Sequence, residues 1–131
     1  QKSSSLIVAM KRIDSFISIY PLFRVKDGQM TAIKKITDEI ISRGHDETGT
    51  LLFTAAFSDT QLFLRESYVD LDAFHVHLDT VKDILDDFFA LLELESLVIV
   101  ANQDNINKMK EEMQSLGMQA TYCVINNGFS I

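Results

Sequence analysis

Tryptophan is absent from these 131 residues, cysteine and proline each occur once, and glycine occurs five times. A single cysteine, Cys123, excludes an internal disulfide and fits a reducing compartment. It lies in an apolar, strand-like run and reads as a buried structural thiol. No stretch approaches the ~18–20 apolar residues of a membrane span. The short run Leu6–Met10 is followed, rather than preceded, by Lys11-Arg12, the wrong order for a secretory leader. Residues 1–14 read as an N-terminal extension before one domain at 15–131, with Met10 as a natural start and a cytoplasmic setting as the default. Basic clusters are lacking too. A net charge of −7 and a pI near 4.8 argue against general nucleic-acid binding, which needs a basic face. GxGxxG, P-loop, GxSxG, CxxC and HExxH patterns are all missing, which removes the motifs of dinucleotide, NTP, α/β-hydrolase and zinc-protease chemistry.

What remains is an ordinary globular composition, 47% hydrophobic and 24% charged, in a chain of single-domain size. Ser15–Val25 is dense in aromatic and β-branched residues and predicts a strand, with Pro21 suggesting an edge or a bulge. Asp27-Gly28 signals a turn, and Met30, Ile33, Ile36, Ile40 and Ile41 keep helical spacing up to Gly44. Gly49–Phe57 predicts a second strand with neither face clearly polar. The short Ser58-Asp59 turn makes it a hairpin with the next strand. A helix follows from Leu71 to about Leu92, with Asp79-Thr80 able to restart it after a kink. Then come a strand (Glu93–Ala101), a helix (Asp104–Leu116), a strand (Met118–Ile125) and a polar tail.

The order β-α-β-β-α-β-α-β predicts an α+β fold: the ferredoxin-like split βαβ, an antiparallel sheet with helices on one face. The other face stays apolar, and an exposed face of that kind exceeds what monomers usually tolerate. Covering about 600–800 Å² per subunit at ~25 cal/mol/Å² would favour association by roughly 15–20 kcal/mol before entropic costs. A face-to-face homodimer is therefore expected.

The stretch Gln61–Leu78 (QLFLRESYVDLDAFHVHL) gathers the chemistry. Leu62, Leu64, Glu66 and Tyr68 fall on one strand face; Gln61, Phe63, Arg65 and Ser67 fall on the other. Asp70 is placed to cap the following helix, which carries His75 and His77. A metal site built from Asp70, Asp72, His75 and His77 is disfavoured, because two histidines two apart on a helix diverge by about 160°. A histidine among apolar neighbours is commonly a satisfied core residue; as a pocket residue, His77 could exchange protons at neutral pH. Glu66 reads either as an ion-pair or interface group at the sheet edge or, if its face lines a cavity, as a carboxyl with a raised pKa.

The order of elements, with Tyr20–Gly28 (YPLFRVKDG), Arg65-Glu66-Ser67-Tyr68 and Ala73–Leu78 (AFHVHL), resembles the antibiotic biosynthesis monooxygenase family over roughly Ser15 to Phe129. The resemblance implies a dimeric α+β barrel. His77 matches the family's helix histidine, and Arg65, Glu66 and Tyr68 match its preceding strand motif. The implied activity is a cofactor-independent monooxygenase taking a small aromatic or quinol-like compound, with no bound metal or flavin. His77, Tyr68 and Glu66 are then the catalytic candidates, and Arg65, Tyr20 and Phe74 the substrate contacts. The lack of any Trp, and Asp87 where a haem-ligating His would stand, depart from the haem-degrading branch. Two other readings stand beside this one. A non-catalytic ligand-binding or regulatory dimer would show an apolar cavity without titratable groups. An isomerase or lyase would need a second acid-base group opposite His77, for which Glu66 is the candidate.

Overall fold

The computed structural model of the protein describes residues 10–131; the expectation for residues 1–9 lies outside them. Its elements run β1 (Arg12–Ile13), β2 (Ile17–Val25), α1 (Met30–Gly44), β3 (Thr50–Phe57) and β4 (Gln61–Tyr68). They continue with α2 (Leu71–Ala90), β5 (Leu92–Ala101), α3 (Gln103–Ser115), β6 (Thr121–Val124) and β7 (Phe129–Ser130). Strands β2 to β6 form one sheet in the order β3-β4-β2-β5-β6. It is antiparallel except where α3 carries the chain across from β5 to a parallel β6. The first four strands of this sheet, with α1 and α2, are the ferredoxin-like split βαβ arrangement expected from the pattern. The two-residue strands β1 and β7 pair with each other in a separate ribbon. That ribbon was not foreseen, since two residues carry no readable alternation; part of the stretch read as an extension is thus tied to the end of the chain.

Pro21 does not mark an edge. It sits in β2, a central strand, and its missing N–H is accommodated by a gap in the β2–β4 pairing at Tyr20-Pro21 and a bulge against β5 between Leu22 and Phe23. Helix α2 is continuous through Asp79-Thr80, where the Thr80 hydroxyl donates to the Val76 carbonyl at 2.8 Å instead of breaking the helix. Its start is as anticipated: Asp70 accepts from the Ala73 amide at 2.9 Å. Cys123 is exposed rather than buried, because β6 is an edge strand and Cys123 lies on the face away from the helices.

All three helices cover one face of the sheet. Period-2 alternation sends Ile17, Ile19, Phe23 and Val25 of β2 and Leu62, Leu64, Glu66 and Tyr68 of β4 towards them. The core divides in two. One cluster gathers Ile17, Tyr68, Phe74, Ile99 and the α3 residues Ile106, Met109 and Met113; the other gathers Phe23, Leu62, Val81, Phe88 and the α1 residues Ile33 and Ile40. Ser18, Tyr20, Phe63, Arg65 and Val98 lie on the open face, where the Tyr20 and Phe63 rings stack at 6.3 Å.

The α1–β3 loop is pressed against α2. A Cβ added to Gly49 would fall 2.5 Å from Ala73 Cβ and 3.3 Å from Val69 Cγ2. Since Ala73 Cβ is fixed by the backbone of the first turn of α2, it cannot step aside, and Gly49→Ala is expected to destabilise the protein by about 1–3 kcal/mol. A lowered midpoint in chemical denaturation checks this; an unchanged midpoint would mean the loop can lift away from α2.

Candidate active site

A cavity of about 210 Å³ lies between the sheet and the helices, where the two core clusters part. Ile19, Pro21, Phe53, Leu64 and Leu97 form its floor; Phe74, Leu78, Val81, Leu85 and Phe88 of α2 form much of its roof. Phe89 and Leu116, 42% and 49% exposed, stand among its wall residues and mark the side open to solvent. The lining is apolar but for two titratable residues, Glu66 from β4 and His77 from α2.

Glu66 is buried because its strand face is the cavity face. Burial pushes its carboxyl up to about 7, only partly opposed by the hydrogen bond that the Tyr68 hydroxyl donates to Oε1 at 2.6 Å. Tyr68 is fully buried, and its phenol is pushed well above its ordinary value by burial first and then by the neighbouring Glu66. Its ring meets Phe74 edge-on at 5.5 Å and lies 5.6 Å from the His77 ring.

His77 is held from its other side. Its Nδ1 lies 2.9 Å from Oε1 of Glu47, a residue of the α1–β3 loop, and both side chains are almost completely buried. Thr50 Oγ1 donates to the same carboxylate oxygen at 2.7 Å. Burial alone would push the Glu47 carboxyl up, but Thr50, His77 and the nearby Thr80 hydroxyl together outweigh it and hold the group below its usual range. The other oxygen, Oε2, is buried without a partner. The loop is set by its backbone: the Glu47 amide donates to the Gly44 carbonyl at 3.1 Å, and the Thr50 amide to the Glu47 carbonyl at 3.3 Å.

The tertiary structure thus brings together His77, Glu66, Tyr68 and Phe74 from the sequence-derived candidates, and adds Glu47. It does not bring Arg65 and Tyr20 to them. Arg65 neighbours Glu66, and Tyr20 neighbours Pro21; the pleat that turns Glu66 and Pro21 into the cavity turns Arg65 and Tyr20 to the open sheet face. His75 points away as well, to Glu112 at 2.8 Å. Among the described residues no group of three His, Cys, Asp or Glu side chains could hold a metal ion.

No family model and no curated protein matches the chain. Solved structures do. MupZ from Pseudomonas fluorescens superposes with a TM-score of 0.80 at 19% identity, over 90% of this chain and 96% of its own. A protein from Chloroflexus aurantiacus described as a putative antibiotic biosynthesis monooxygenase matches at 0.54 and 17% identity, over 63% of this chain and 88% of its own. One of the same description from Caulobacter crescentus matches at 0.56 and 18%, over 65% and 85%. The chain shares the ferredoxin-like α+β fold of these proteins. At these identities the likeness carries the fold alone, and any chemistry rests with the side chains that line the cavity. Here those side chains are Glu66 and His77, and no helix among the described residues is long and apolar enough to cross a membrane.

Proposed function

We propose that the protein is a cofactor-independent monooxygenase acting on a small phenolic or quinol-like aromatic, with His77 as the base. One observation carries this reading: a histidine whose Nδ1 is committed to a buried carboxylate lines a cavity that is apolar but for it and Glu66. An ionised carboxylate can only accept, so Nδ1 carries the proton and Nε2 is the nitrogen able to take one from a substrate. Removing the phenolic proton in a water-poor site leaves an electron-rich anion. That anion supplies the electrons for O2: a carbon–oxygen bond forms at the ring as a peroxide, and loss of water leaves the quinone. One oxygen atom enters the product, the other leaves as water, and no outside reductant is needed. Glu66, held by the Tyr68 hydroxyl, is the other polar group that faces the developing charge in the cavity.

Two titratable groups in the cavity count against a purely non-catalytic binding module. The same pair favours a second reading, an isomerase or lyase in which Glu66 protonates what His77 has deprotonated elsewhere on the substrate. Oxygen uptake and product analysis with naphthols and quinols separate the two. Uptake with quinone formation supports the monooxygenase, whereas rearranged product without uptake supports the isomerase. Neither binding nor turnover across the panel would sink both.

We also propose a homodimer joined through the open sheet face. The support is the placement there of Tyr20, Phe63 and Val98 among residues the helices leave uncovered. Phe63→Lys with Val98→Lys is expected to convert a particle of twice 14.8 kDa into the 14.8 kDa monomer in sedimentation velocity. A wild type that already sediments as a monomer at micromolar concentration would overturn the proposal. The single free thiol fits a cytoplasmic setting for this dimer.

A further inference from the structure

We propose that Glu47 is a positioning residue: it grips the His77 ring at Nδ1 and so presents Nε2 to the cavity as the proton acceptor. The inference deepens the reading of His77 as base and rests on it. Three observations support it beyond the 2.9 Å contact.

Glu47 comes from 30 residues away in sequence, on a loop that must close against α2 at Gly49 before the carboxylate can reach the ring. The Thr50 hydroxyl then occupies the same oxygen as His77, so the carboxylate is held from two directions and cannot swing. The second oxygen is buried without a partner. Leaving a carboxylate oxygen bare in the interior costs stability, and a latch tying the loop to α2 would work better with a neutral amide or an apolar contact. What a charged carboxylate adds, and those substitutes do not, is a strict acceptor: it admits only the Nδ1–H form of a neutral imidazole and stabilises the imidazolium that proton transfer creates. The remaining groups around the ring do not compete for Nδ1. Phe53 of β3 lies 5.1 Å away and Tyr68 of β4 5.6 Å away, ring to ring, and the Tyr68 hydroxyl is spent on Glu66.

The test is the tautomer of His77, read without substrate by long-range proton–nitrogen correlation on protein labelled with ¹⁵N-histidine, at a pH where the ring is neutral. The wild type is expected to be protonated at Nδ1 and bare at Nε2. Glu47→Ala is expected to lose that preference and, in the turnover assay, to fall about 10²- to 10⁴-fold in kcat while KM changes little. Glu47→Asp, which keeps the charge, should recover part of the loss. A wild-type ring protonated at Nε2 overturns the proposal, as does a tautomer unmoved in Glu47→Ala. Should the alanine variant fail to fold, the wild-type spectrum and that of Glu47→Asp decide alone. Failure of the base reading looks different: His77→Ala would turn over normally whatever the tautomer of the wild-type ring.

Discussion

Glu66→Gln is expected to make the protein more stable at pH 8, by about 3 kcal/mol, and to leave it unchanged near pH 4. The residue is buried and its carboxyl is pushed up to about 7 from an ordinary 4.5, by burial first, with the Tyr68 hydrogen bond pulling the other way. A group whose folded pKa is raised binds its proton more tightly folded than unfolded. Its favourable contribution is therefore complete below pH 4.5 and disappears as pH rises through 7. A difference of about 2.5 units corresponds to about 3 kcal/mol at ~1.36 kcal/mol per unit. Glutamine is a neutral isostere that can still accept from Tyr68, so the variant should lack this slope between pH 4.5 and 7. Glu47 acts in the opposite sense and in a lower window: its depressed folded pKa contributes stability above about 4.5 that is lost on further acidification. Chemical denaturation of both proteins at pH 4, 6 and 8, at one fixed protein concentration, separates the two groups. Parallel curves for wild type and variant would show that Glu66 is solvated or paired when ionised. The same substitution removes a proton donor from the cavity, so the gain in stability should come with lost turnover, a trade-off common in active sites.

The larger effect on activity is expected at His77. His77→Ala should reduce turnover by about 10²- to 10⁴-fold, the usual range for loss of a general base. It also strips Glu47 of a hydrogen bond and leaves a buried carboxylate short of partners, a loss of about 1–3 kcal/mol in stability. His77→Gln separates these consequences. Its amide can donate to Glu47 in place of Nδ1–H, but offers no nitrogen that can accept a proton. The glutamine variant is thus expected to recover stability and not turnover. If it turned over like the wild type, the base would have to be another group, and Glu66 is the other titratable residue lining the cavity.

The strand-helix unit from Gln61 to Leu78 was legible because it is local. Alternation with period 2 assigns Leu62, Leu64, Glu66 and Tyr68 to one face; a capping Asp70 turns the chain; the helical period then brings Phe74, His77 and Val81 to the same side. Three catalytic candidates were thereby set on the correct faces before any tertiary contact was known. Alternation also contained the correction for Arg65 and Tyr20: each is one residue away from a cavity residue, and so on the wrong side of the sheet. Grouping them with the site followed the family's motif, which is linear, whereas a pleated strand is two-sided.

Glu47 left no such trace. It stands in a polar loop, Gly44–Gly49, that resembles any solvated turn, and nothing in its neighbours indicates that the loop folds under α2. Local rules encode which way a side chain points, not which distant loop will close over it. The nearest available signal was Gly49, the residue that lets the loop approach Ala73. Cys123, and the choice between edge and bulge at Pro21 (the structure has the bulge), were out of reach for the same reason. Whether a strand lies at the centre or the edge of a sheet is decided by the order of pairing, and the order β3-β4-β2-β5-β6 is a property of the whole chain.

The sequence by itself determined the α+β class, the split βαβ order and the face on which each strand residue lies, because periodicity and turn chemistry are short-range. Only the tertiary structure decided that the two halves of the core part around a cavity, that Glu66 is buried in it without an opposing charge, and that Glu47 reaches His77. Those three outcomes depend on desolvation and on contacts between residues far apart in the chain, and neither exists until the sheet and helices have closed.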